Sequence, residues 1–161
     1  MRAVSNTSPL SNLAIIDRLD LLRQRYGVVF VPPAVSNELS RLSNSAAQVR
    51  LANATSEGWL KVEMPAIAPP KLPFPLDLGE TEAVTLPLSM KADVLLIDEK
   101  RGRIAARSVG LTVAGILGEL ARAKLAGILP ALKPELEALR REAGFFIDSE
   151  IEKFILSAAG E

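Results

Sequence analysis

The chain has 161 residues with 19 acidic and 19 basic side chains, a length that suits one domain able to bury a full core without metals or disulfides. The zero formal charge argues against a broadly basic surface that coats nucleic acid, although it leaves room for a local basic patch. Cysteine and histidine are both absent, which excludes disulfides, thiolate or imidazole zinc sites, a Ser-His-Asp triad and the His-based acid and base pairs of metal-free ribonucleases.

Any catalysis therefore rests on carboxylates, Lys, Ser, Thr or Tyr. Hydrophobic residues make up 48% of the chain but aromatics only 4%, as expected for an aliphatic core of packed helices and parallel strands. No charged and apolar leader opens the chain and no apolar run approaches membrane-spanning length, so the expectation is a soluble, cytoplasmic protein.

Taken in order, Ala3 and Val4 begin a short strand ending at Ser5 and Asn6, and Ser8-Pro9 predicts a helix with Ser8 as N-cap and Pro9 in its first turn. That helix breaks near Asp17, resumes through Leu21 and Leu22, and stops at Gly27. Val28 to Val31 predicts a second strand, and Pro32-Pro33 opens the next helix, on which Val35, Leu39 and Leu42 form an apolar stripe. Glu38 lies about 60° from Val35 on the helical wheel, at the margin of the stripe. It can reach a cleft beside the core, or stand as an ordinary solvated glutamate.

Residues 43–56 predict another helix and Trp59 to Met64 a third strand. Five prolines among the eleven residues from Pro65 to Pro75 predict an irregular loop at the edge of any site. Asp77 and Glu80 have capping-box spacing, which starts a helix whose inward face carries Glu80, Ala83, Val84 and Pro87, with Glu82 on the far side. Pro87 is expected to end or kink this helix.

Val94 to Ile97 is an unbroken apolar run that suits a strand buried on both faces, with Asp98 at its carboxyl end. An acid there is a candidate functional group, because ligands of open α/β sheets bind at the carboxyl ends of the strands. The competing reading makes Asp98 the cap of a helix starting at Lys100. Gly110 closes that helix, and Leu111 to Val113 gives a last brief strand. Helices follow over Ile116 to Leu125, Pro134 to Arg141 and Ser149 to Ala159, the last opened by a Ser149/Glu152 capping box and carrying Ile151, Phe154 and Ile155 on one face. The alternation predicts a three-layer α/β/α sandwich around a small parallel sheet. One domain spans 1–161, with a core over about residues 1–115 and a helical tail over about 116–161.

Four segments, SNTSPLSNL around Asn6, VPPAVSNELSRL around Glu38, LGETEAV around Glu80 and VLLIDEKRGR around Asp98, together resemble the PIN domain. The resemblance covers nearly the whole chain. The nearest likeness is to a branch of predicted nucleic-acid-binding proteins whose tail carries a GF-I segment like Gly144 to Ile147. It implies a ribonuclease dependent on Mg²⁺ or Mn²⁺, with Asn6, Glu38, Glu80 and Asp98 as the catalytic set. Of these, Glu38, Glu80 and Asp98 would hold the metal directly or through water.

Carboxylates without His or Cys select such hard cations in any case. Asn6 stands where most of the family has Asp, which leaves a neutral, weaker ligand at that position. Ser8 matches a small hydroxyl residue of the family motif, and Lys100, Arg101 and Arg103 could meet the RNA backbone or serve only solubility. Many bacterial relatives are toxins paired with a small antitoxin, and homodimers are common among them. Two functions stay open: the nuclease, and a catalytically weak module that binds RNA or a protein partner.

Overall fold

The computed structural model describes residues 1–161. Its centre is a sheet of five parallel strands in the order β3-β2-β1-β4-β5, formed by β1 (Ala3–Ser5), β2 (Val29–Val31), β3 (Leu60–Val62), β4 (Val94–Leu96) and β5 (Val113–Ala114). The nine helices are α1 (Thr7–Ile15), α2 (Asp20–Tyr26), α3 (Pro33–Ser40), α4 (Ser45–Ser56), α5 (Leu78–Met90), α6 (Lys100–Ser108), α7 (Ile116–Leu125), α8 (Lys133–Ala143) and α9 (Ser149–Ala158). This is the expected α/β sandwich. No helix is long and apolar enough to cross a membrane.

Strand β1 and strand β4 are buried along their whole length, which is why both read as apolar runs without alternation. Ala3, Val4 and Ser5 register against Val94, Leu95 and Leu96 of β4, while Ala3 and Val4 register against Val29 and Phe30 of β2. Chain order reverses at β1: β2 and β3 build outward on one side, β4 and β5 on the other. Such a switch point opens a crevice at the carboxyl ends of the two strands that flank it. Asn6 and Asp98 follow β1 and β4 at that edge.

The remaining elements fill the core. Leu10 and Leu13 of α1, Leu86 of α5, Ile116 and Leu120 of α7, and Leu132, Leu136 and Leu139 in or just before α8 are all fully buried. Burial of such a side chain is worth about 1.5–3 kcal/mol. The buried cluster is continuous from Ala3 to Ala159, so the tail helices share the core of the sheet. Arg18 fastens α8 from outside with a two-pronged bond to Glu135, at 2.9 and 3.0 Å.

Several local expectations change. Helix α1 begins at Thr7, with Asn6 in the cap position and Ser8 inside the first turn; Pro9 can sit deeper than the first helical residue because none of the first-turn N–H groups has an intrahelical partner. Pro87 does not end α5, which runs on to Met90 with Pro87 buried in its interior. Burial of that face against the core offsets the hydrogen bond that proline removes. Helix α9 is capped by Asp148, whose Oδ1 accepts from Glu150 N–H at 2.9 Å and Ile151 N–H at 3.3 Å. Glu152 is thereby free to pair with Arg140. The last strand lies at Val113–Ala114, later than the Leu111 to Val113 run suggested.

Gly102 sits at the start of α6 against Ile97, and a Cβ there would overlap Ile97 Cδ1. Ile97 is fully buried and has no room to yield. Gly102→Ala is therefore expected to lower stability by up to about 2 kcal/mol in urea unfolding, because overpacking of about 1–3 kcal/mol is offset only in part by the gain of about 1 kcal/mol in helix propensity.

Candidate functional site

Asn6 is buried at the end of β1, and its backbone N–H extends the ladder to Leu96 O at 2.9 Å. The next residue, Thr7, donates its hydroxyl to Glu38 Oε2. Glu38 is itself exposed at the end of α3, and its other oxygen rests on Gly79, where a Cβ would overlap Oε1. Close approach of that carboxylate to the first turn of α5 therefore depends on glycine at 79. Asn6, Glu38 and the turn that bears Glu80 form one continuous edge.

Asp77 caps α5 by accepting from Glu80 N–H at 2.8 Å, as the capping-box spacing indicated. The Glu80 carboxyl faces two further acids, Asp77 and Glu99. Burial, then the hydrogen bond and negative charge of Asp77, then the charge of Glu99 push Glu80 up to about 7. Glu99 did not figure among the expected site residues. It occupies the N-cap position of α6, and its only signal in the sequence is adjacency to Asp98.

Asp98 is a cap, though of a different helix from the one expected. Its Oδ1 accepts from Ile116 N–H at 3.0 Å, so it closes the start of α7, while α6 begins behind Glu99. Gly115 leaves the space this contact needs, since a Cβ would stand 2.7 Å from Oδ1 and 2.9 Å from an Arg103 nitrogen. The other oxygen, Oδ2, is buried without any hydrogen-bond partner. Burial pushes Asp98 up to about 6 against the opposing pull of the Ile116 N–H and the Arg103 charge. An orphaned carboxylate oxygen out of water is costly unless something pairs with it.

Basic residues frame the edge. Arg101 stacks over the Phe74 ring at 4.5 Å and donates to Pro75 O at 3.1 Å, which fastens the proline-rich loop to α6. Arg103 donates to Ile97 O at 2.9 Å, and Lys100 is exposed at the start of α6. Ser8 is half-buried in the first turn of α1. Glu82, expected to point away, instead accepts from Ala34 N–H at 2.8 Å and caps α3.

The acids are contiguous without being gathered on one point. Glu38 meets Gly79 beside Glu80, Glu80 meets Glu99, and Glu99 adjoins Asp98, but no three carboxylates lie within common metal-ligating range. The donor set is oxygen throughout, two of its acids are pushed toward neutrality, and Asp98 keeps one unsatisfied oxygen. Those features suit a hard divalent cation, which would favour the ionised acids and pair the orphan. A family model described as a PIN domain matches residues 2–161. No curated protein and no solved structure matches the chain significantly.

The raised acids give stability a definite pH dependence. A carboxyl whose folded-state pKa lies above its unfolded value stabilises the fold while neutral, fully so below about pH 4. That contribution disappears as pH rises through about 6 for Asp98 and about 7 for Glu80. With no histidine in the chain, few other groups titrate there. Metal-free protein should lose stability between about pH 4 and pH 7 in calorimetry with chelator, by up to about 3 kcal/mol from Asp98 across that range. Asp98→Asn keeps an oxygen for Ile116 N–H and should melt higher than the parent at pH 8; an equal or lower melting temperature would mean that Asp98 is held ionised at no cost.

Proposed function

The chain belongs to the PIN-domain family, and on that premise we propose that it is a Mg²⁺- or Mn²⁺-dependent ribonuclease that hydrolyses RNA phosphodiester bonds. The observation that carries this reading is the buried, unpartnered Oδ2 of Asp98 beside a crowded acidic edge at the switch point of the sheet. Glu38, Glu80 and Asp98 would hold the metal, directly or through water. When bound, the cation supplies an activated water and neutralises charge that develops on the phosphate.

The chain's own residues have separable tasks. Thr7 orients Glu38 by donating to it, and Gly79 lets that carboxylate lie against α5. The N-terminus of α7 fixes Asp98 through one oxygen and leaves the other free. Glu99 and Asp77 surround Glu80 with negative charge, which strengthens the call for a cation. Arg101, held by Phe74, together with Lys100 and Arg103, would take backbone phosphates, and Ser8 a water or a carboxylate.

A second reading has its own support. Asn6 offers a neutral amide where a carboxylate is expected, and one oxygen of Asp98 is already engaged as a cap. On that reading the protein is a catalytically weak module that binds RNA or a protein partner. Cleavage of a defined single-stranded RNA with and without Mn²⁺ separates the two. The nuclease should cut only with the metal, and Glu80→Gln should lose at least about a hundredfold in rate. Asn6→Asp should bind Mn²⁺ more tightly in calorimetry. The attraction of one added charge, about 4 kcal/mol at about 4 Å in a medium of dielectric about 20, is largely cancelled by desolvation and carboxylate repulsion, leaving a gain of about tenfold or less. RNA bound but uncut under every metal tested would favour the module.

The proposal extends to a cytoplasmic toxin role with a small antitoxin and to a homodimer. For the homodimer the support is α9, which buries no residue fully and leaves Phe154 76% exposed. Light scattering at micromolar concentration should give twice the monomer mass, and a monomer mass would remove the dimer from the proposal.

A further inference from the structure

Beside Asp98, and not lined by Glu80, lies a cavity of about 610 Å³ between the start of α7 and the segment that joins α8 to α9. That volume falls in the range of small-ligand sites. Its wall is apolar at Val113, Leu117, Phe145, Phe146 and Ile151. Phe146 is 85% exposed and Ile151 51% exposed, an unusual display for large apolar side chains on one rim.

The segment that carries Phe146 is held on both sides. Phe145 N–H donates to Leu139 O at 3.0 Å, Ile147 is buried, Arg140 reaches Ile147 O at 3.4 Å, and Asp148 is fixed as the cap of α9. Phe146 is thus a ring presented by a pinned backbone.

The polar groups of the cavity are unequally engaged. Glu119 is occupied by the Tyr26 hydroxyl at 2.8 Å and by Arg25 at 3.3 Å. Asp148 is occupied by two backbone N–H groups, and Asp98 Oδ1 by Ile116 N–H. The cations lack ion pairs: Arg103 and Arg122 both line the cavity and neither has a carboxylate within ion-pair distance, although Arg103 gives one N–H to Ile97 O at 2.9 Å. The cavity therefore offers an aromatic platform and two guanidinium groups without an ion-pair partner. A ligand complementary to both has a flat apolar face and anionic oxygens. An RNA nucleotide has each of these.

We propose that this cavity is a nucleotide subsite, in which Phe146 stacks a base of single-stranded RNA and Arg103 and Arg122 take its phosphate, next to the bond proposed to be cut at Asp98. The inference rests on the ribonuclease reading for the identity of the ligand, while its residues, Asp98 and Arg103 apart, lie outside the site proposed for the nuclease. RNA is favoured over a polypeptide by the two unpaired guanidinium groups, since a stacking ring alone would serve either.

The test uses the full chain and a defined single-stranded RNA. Binding is followed by fluorescence anisotropy in chelator, and cleavage by steady-state kinetics with Mn²⁺. Phe146→Ala, a truncation of an exposed side chain, should weaken binding and raise KM on the order of tenfold with kcat within about twofold, and Phe146→Trp should restore both. Arg122→Gln should weaken binding and reduce the slope of log affinity against log salt by about one. Arg141→Gln, outside the cavity, should match the parent. If the parent binds or cleaves RNA and Phe146→Ala and Arg122→Gln do so equally well, the subsite is overturned and the cavity is left to a polypeptide. If the parent binds RNA without cleaving it and both variants bind more weakly, the subsite stands while the nuclease reading falls. A parent that neither binds nor cleaves RNA overturns both.

Discussion

The pairing of β1 with β4 is the constraint on which the rest of the molecule depends. Three residues on each strand, all buried, register one to one, and the ladder runs one bond further, from Asn6 N–H to Leu96 O. Because both strands are parallel and central, their carboxyl ends emerge side by side, and the chain on either side must leave by helices. That is what brings Asn6, the Thr7–Glu38 bond and the α6 start into one neighbourhood, although they are separated by up to about ninety residues of sequence. Polar and charged groups collect at this edge because backbone hydrogen bonding ends there and helix N-termini begin.

Acids at such an edge have two competing uses. Asp77, Glu82, Asp98 and Asp148 all accept from helix N-terminal N–H groups, a structural duty that stabilises by about 1 kcal/mol each. Glu80 has no such duty and is crowded by like charge instead. Asp98 stands between the two classes, one oxygen spent on α7 and the other unspent. A purely structural cap needs no buried second oxygen without a partner, and this remainder is what separates a functional reading from a structural one.

The sheet and most helices were legible from the residues alone, because β1, β2 and β4 are short apolar runs bounded by Asn, Pro or Asp, and because Gly27 and Gly110 each take positive φ where a helix was expected to stop. Caps were less legible. Ser8 and Ser149 look like N-caps in sequence, but the cap is chosen by which side chain can fold back onto the free N–H groups, and Asp148 won that competition at α9. The destination of Asp98 was hidden for a different reason: its partner lies 18 residues later, at α7, and only the β4–β5 pairing brings that helix start within reach. Glu99 was overlooked because its importance lies in its proximity to Glu80, a tertiary relation between α5 and α6 that no periodicity encodes. The four-segment likeness singled out residues that the fold sets along one edge of the sheet, and packing decided which acids there face one another.

Gly79 carries a consequence of its own. Glu38 and the first turn of α5 meet with no side chain between them, so the spacing between two of the acid-bearing helices is set by an absent methyl group. Substitution there would displace the Glu38 carboxylate while leaving every charge in the protein in place. Most ways to disable an acidic site change its electrostatic potential and its shape together. Position 79 separates the two, and so provides a handle by which the alignment of this edge can be varied at constant charge.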